Sequence, residues 1–280
     1  MQAERDWAIE CGCLSVSNRE TNTATHMNRR VEMNQAKRLF FLLPAMFLLP
    51  SGLELRAQTV DAETIIQRYL DAVGGREAIE KIHSRVAKGT FAMADMGMYA
   101  PFESYIRTPD RYRFRLDFAG MGSAENGVNG DIAWQTNPMA GPRILSGSER
   151  LAALQQARIE PLLNWRDFFV SAEASGPESL GDRSVYKVVF TPEKGSPMTC
   201  YFDADSGLLV RADVEQGGQR IQSEISDYRE VDGVKVPFKM TMSGSQFRFE
   251  LLVESVEHNV EIPDETFSLP AEIARLVEQP

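Results

Sequence analysis

The run Arg111-Tyr112-Arg113-Phe114-Arg115-Leu116-Asp117-Phe118 changes character at every step. Successive side chains of a β-strand project to opposite faces. An extended backbone here therefore sets Arg111, Arg113, Arg115 and Asp117 against Tyr112, Phe114, Leu116 and Phe118. Such a segment is one strand of an antiparallel sheet with a wet face and an apolar face. The apolar face covers either the protein's own core or a guest.

Similar segments surround it. Val86–Met93, Tyr99–Arg107, Ser123–Val128 and Ile132–Gln135 carry a period of two, as do Phe168–Ala172, Val185–Thr191, Met198–Phe202 and Gly207–Val214. Ile221–Glu230, Val234–Met242 and Phe247–Glu257 complete the series. Thr108-Pro109-Asp110, Asn129-Gly130-Asp131 and Val231-Asp232-Gly233 are turn signals between them. Helical spacing occurs at Ile65, Ile66, Tyr69, Leu70 and Val73, ended by Gly74-Gly75, and again over Arg76–Ile82. A helical insertion follows Ser146-Gly147-Ser148-Glu149, which fits a capping box, and continues past Pro161 to Trp165. The expected fold is mainly β with a few helices, an incomplete (unclosed) antiparallel β-barrel of about 11 strands with a helical lid. Pro237 implies an edge or bulge, and the tail packs Phe267 and Leu269 on the outside before fraying.

Residues 1–57 are expected to be removed. Lys37 and Arg38 precede the apolar run Leu39–Leu49, and Ala57 stands at a possible cleavage point, as in an export signal. The run falls short of the ~20 residues of a spanning helix and is broken by Pro44, Pro50 and Glu54. Residues 1–32 suit a start assigned too early, with Met27 or Met33 the true one. Residues 58–280 then form a single domain, periplasmic after cleavage. Removing seven basic and six acidic residues with the leader leaves 23 against 34, a net charge of −11. That balance disfavours nucleic acid and tight docking on anionic lipid.

Catalytic patterns are missing. His83 and His258 have no partner at metal-ligand spacing, and there is no nucleophile elbow, phosphate-cradling loop or dinucleotide fingerprint. Cys200 is the one cysteine outside the leader and reads as a small core residue. The expectation is no enzyme, no metal and no cofactor. Methionine is the more telling supply. Met93, Met96 and Met98 gather with Tyr99 at the first hairpin, Met121 and Met139 lie in later loops, and Met198, Met240 and Met242 fall in strands. This flexible side chain serves either as filler for a curved core or as the lining of a cavity that fits several apolar shapes.

Several stretches resemble LolA/LolB-like proteins, the periplasmic lipoprotein carriers. They are Tyr69–Ile82 with its Val73-Gly74-Gly75-Arg76, Asn129–Trp134, Tyr201-Phe202-Asp203 with Gly207–Val210, and Asp227–Pro237. The resemblance spans nearly the whole chain after the leader. It implies an unclosed barrel, a hydrophobic cavity capped by helices, and carriage of acyl chains of lipids or lipoproteins between membrane-bound donor and acceptor proteins.

The function expected is therefore a monomeric carrier that holds acyl chains in a hydrophobic cavity. Its candidate lining is Tyr112, Phe114, Leu116, Phe118, Trp134, Met240, Met242, Phe247, Phe249 and Leu251. An envelope sensor or protein-interaction module on the same fold, without transport, is the alternative. An undescribed hydrolase ranks third.

Overall fold

A computed structural model describes residues 60–216 and 218–278, so the expected leader lies outside the described residues. Helices α1 (Ala62–Ala72) and α2 (Arg76–Glu80) come first. Six strands follow: β1 (Ser84–Met93), β2 (Met98–Arg107), β3 (Arg111–Phe118), β4 (Gly122–Asn129), β5 (Ile132–Asn137) and β6 (Gly141–Ile144). Helix α3 (Gly147–Gln156) and a 3-10 segment, Pro161–Asp167, lead to the second series. That series is β7 (Ser171–Leu180), β8 (Arg183–Thr191), β9 (Met198–Asp203), β10 (Leu209–Gln216), β11 (Gln219–Val231), β12 (Val234–Ser243) and β13 (Arg248–His258). A short 3-10 turn, Asp264–Phe267, and α4 (Ala271–Glu278) complete the described chain.

All strand pairs are antiparallel and form one sheet of 13 strands, ordered β6-β5-β4-β3-β2-β1-β13-β12-β11-β10-β9-β8-β7. Two meanders are thus joined by the pairing of β1 with β13. The sheet does not close on itself, because β6 and β7 are its free edges. The chain leaves at one edge and re-enters at the other, and α3 with the 3-10 segment makes that passage. The expectation of about eleven strands fell short because β6, Gly-Pro-Arg-Ile, has no alternation to betray it.

Curvature has local causes. The β1–β13 register slips between Lys88 and Gly89, a bulge that increases bend and twist. Gly89 lets the Phe102 ring press onto the backbone; a Cβ there would come within 2.8 Å of Phe102 Cε1. The β11–β12 hairpin is tight, with Val231 opposite Val234 and positive φ at Asp232 (51°) and Gly233 (79°), as a two-residue turn requires. Pro237 does not mark the opening of the barrel. It pairs Tyr228 on β11 but lies before Lys239, where β12 begins to pair β13, so its missing N–H costs no ladder bond.

The helices fill the concave side at one end. Ile65, Ile66, Tyr69 and Leu70 of α1 are buried, and Tyr69 lies 5.5 Å from the Phe202 ring of β9. Trp165 and Phe169 pack on Phe190 of β8 at 5.8 and 5.1 Å. Ser146 stands at the N-cap of α3 without a side-chain cap bond, and Glu149 binds Arg143 instead, so the expected capping box does not form.

The convex face is not all wet. Residues after β13 run across it: Arg107 donates to the Ile262 carbonyl (3.1 Å), Arg113 to Thr266 (2.9 Å) and Asn129 to Phe267 (3.0 Å). Phe267 is buried there as expected, but as far as residue 278 the tail keeps regular structure where fraying is expected. It forms α4, with Ile273 fully buried.

Candidate functional site: the concave face

The inner face carries two apolar clusters. The larger lies under the helices and includes Ile106, Tyr112, Val128, Val188, Phe190 and Phe202. The smaller lies at the far end of the strands and is built on Phe91, Met93, Ala100, Phe102 and Leu116, with Phe118, Phe249, Leu251 and Val253 against it. Sheet register explains the second cluster. Phe102 faces Leu116 across β2–β3, and Phe91 faces Ala100 and Leu251 across its two neighbours. Phe91 meets Phe249 at 5.0 Å and Phe118 at 6.0 Å, and Phe102 stacks on Phe114 at 5.5 Å. These separations suit attractive aromatic pairs.

The predicted lining residues take different places. Tyr112 is buried in the helix-covered cluster, and burial pushes its hydroxyl pKa well upward. Phe114 packs against both clusters. Leu116, Phe118, Phe249 and Leu251 belong to the aromatic end. Met240 and Met242 share the inner face, opposite Leu251 and Phe249, and are half-buried. Phe247 stands in the β12–β13 turn and stacks on Phe249 at 5.9 Å.

Trp134 is a correction. Val128 faces Ala133 across the β4–β5 hairpin, so Ala133 takes the inner face and Trp134 the convex one, opposite Gly127. Its indole lies against Gly127, where a Cβ would meet Cζ2 at 2.7 Å, and 5.9 Å from the Arg113 guanidinium. Asn129-Gly130-Asp131-Ile132 carries the signal that sets this register. A two-residue turn fixes which residues face each other, and Val128 is plainly inward.

A polar group on the inner side escaped the sequence reading. Arg85 lies opposite Ile106 and His258, hence inward. Its Nε donates to His258 Nε2 (3.0 Å), and its Nη1 donates to the Ile159 carbonyl between α3 and the 3-10 segment (3.2 Å). Glu160 comes next in the chain. It accepts from Tyr69 Oη of α1 at 2.8 Å and from the Leu162 backbone N–H at 3.1 Å. Burial raises the Glu160 carboxyl pKa and lowers that of Arg85; burial, then the Arg85 charge, lowers that of His258. His258 Nδ1 lies 3.3 Å from Asp232 Oδ2 without the alignment of a hydrogen bond. The group thus ties both helical elements to β1 and β13. An arginine in a strand-forming stretch offers no sequence sign that it points inward.

Two clefts, of about 250 and 200 Å³, involve none of the predicted lining residues. The first lies between α3 and the β2–β3 and β4–β5 turns, among Asp110, Asp131, Arg150 and Arg158. The second lies between the convex face and the start of α4. Both are below the ~300–1,000 Å³ typical of ligand pockets.

No protein-family model and no curated protein matches the sequence. Solved structures do match the fold. A LolA superfamily protein from Nitrosomonas europaea is 15% identical, with a TM-score of 0.53 over 75% of this chain and 98% of that one. A DUF1329 family protein from Desulfovibrio piger is 14% identical, with a TM-score of 0.54 over 74% and 97%. A Vibrio parahaemolyticus domain assigned as an outer membrane lipoprotein-sorting protein is 12% identical, with a TM-score of 0.50 over 72% and 97%. The described residues therefore carry the unclosed β-barrel fold of LolA superfamily and lipoprotein-sorting proteins.

Proposed function

We propose that this protein is an exported, non-catalytic carrier that shelters acyl chains of lipids or lipoproteins on its concave face and moves them between membranes. One observation carries the reading. The aromatic end of the inner face is continuous, apolar and only half-buried at Phe114, Phe118, Met240, Met242, Phe249 and Leu251. A core built for stability alone would bury such side chains fully, at about 1.5–3 kcal/mol each.

A guest chain supplies the missing cover. Each buried methylene is worth about 0.8 kcal/mol, so a long chain is worth on the order of 10 kcal/mol. A chain longer than the aromatic end also displaces the helical cover. The Arg85 bond to the Ile159 carbonyl holds that cover to the sheet, and the Tyr69 bond to Glu160 holds the two parts of the cover together, an arrangement that suits release and re-closure. The fold shared with lipoprotein-sorting proteins supports the same reading. No described helix is long and apolar enough to cross a membrane.

The test is native mass spectrometry of protein purified from membranes, with displacement of a fluorescent fatty acid. Bound lipid and saturable displacement are expected. A protein free of lipid that takes up no fatty acid, and instead pulls down one stable protein partner, would make the fold an envelope sensor or interaction module.

A further inference from the structure

The two rims of the sheet differ in chemistry. Five hairpin turns lie on the rim beside the helices, joining β2–β3, β4–β5, β7–β8, β9–β10 and β11–β12, and every one contains an aspartate: Asp110, Asp131, Asp182, Asp205 and Asp232. The opposite rim also carries the β8–β9 and β10–β11 turns, and on it four turns stand side by side in the order β5–β6, β3–β4, β1–β2, β12–β13. Each presents one large apolar residue: Met139, Met121, Met96 and Phe247. The methionines are 67%, 60% and 47% exposed, and Tyr99 beside Met96 is 63% exposed. Asp95 is the one charged residue in these four turns.

We infer that this rim is a membrane-contact surface whose turns insert their apolar tips shallowly into a neutral, zwitterionic bilayer. Turns of neighbouring hairpins are spaced by two strand widths, roughly 10 Å. They form a row of separate protrusions that runs inward from the β6 edge. A rigid protein partner needs a matching pocket for each tip, whereas a fluid lipid interface receives each one independently. Methionine, unbranched and polarizable, suits a partner without fixed shape. The formal charge of −10 repels anionic lipid, and these four turns carry no basic residue to offset it. The half-buried aromatic end of the concave face opens at this same rim, so contact would bring that face against the acyl region. The rim goes beyond the carrier reading and stands without it.

Flotation with phosphatidylcholine vesicles tests the assignment, using the intact protein and the triple variant Met96→Asp, Met121→Asp, Met139→Asp. All three positions are exposed, so the fold should survive, and thermal unfolding checks this. Asp182→Asn on the opposite rim is the control. The protein and the control should float equally, the triple variant roughly tenfold less or worse, and phosphatidylglycerol should not improve binding at low salt. Equal flotation of the triple variant, or no flotation of the unaltered protein, overturns the inference. Displacement of the fluorescent fatty acid is read in parallel. Its persistence in a variant that no longer floats separates the rim from the carrier site; its absence with flotation intact defeats the carrier reading alone.

Discussion

Tyr69 Oη donates a 2.8 Å hydrogen bond to Glu160 Oε2, joining the first helix to the segment that spans the two free edges of the sheet. The residues are 91 positions apart, and the bond is part-buried. Tyr69→Phe removes the donor while keeping the ring against Phe202. A buried bond to an ionisable acceptor is worth about 1–3 kcal/mol, and urea unfolding should show a loss of that size. Fatty-acid exchange should be faster in the same variant, because the cover loses one of its ties.

Glu160 and His258 make stability respond to pH in opposite senses. The Glu160 pKa is raised in the fold, so its contribution is present in acid and lost as pH climbs from the ordinary carboxylate value through the raised one. The His258 pKa is lowered, so its contribution is present above the ordinary value of about 6.5 and lost as pH falls below it. Glu160→Gln should flatten the first dependence and His258→Asn the second, as read by denaturant midpoints across pH.

Phe114 touches both inner clusters. Because it is half-buried, Phe114→Ala should cost less than the ~3–5 kcal/mol of a fully buried phenylalanine and should leave a folded protein. Its affinity for a fluorescent fatty acid should fall. Phe114→Asp separates two roles in the same assay: a folded variant that takes up no lipid marks a lining residue, an unfolded one marks core.

Trp134 makes the opposite case. It is 1% exposed on the convex face, so Trp134→Ala should cost about 3–5 kcal/mol yet leave fatty-acid affinity unchanged in whatever fraction remains folded. Gly127→Ala should shift the tryptophan emission, because the new methyl displaces the indole.

Most of the architecture was legible because alternation is a strong signal wherever one face is apolar. Arg111–Phe118 is a strand with the inward set expected of it. What remained hidden depends on pairing between distant segments. The meeting of β1 with β13 places Arg85 beside His258, 173 residues later. The covering of Arg113 by Thr266 likewise follows from where the tail runs, not from local pattern. Trp134 was misplaced for a different reason: size and hydrophobicity suggested an inward side chain, whereas hairpin register decides the face.

On the carrier reading, the passage from β6 to β7 bears on how the protein recovers after opening. Its free edges are bridged by the chain's own backbone, so separating the cover from the sheet does not release a part into solution. Closing again is an intramolecular search over a short tether, whose entropy grows only slowly with length. Re-closure should therefore proceed at a rate independent of protein concentration, and a dilute protein should reseal as fast as a crowded one.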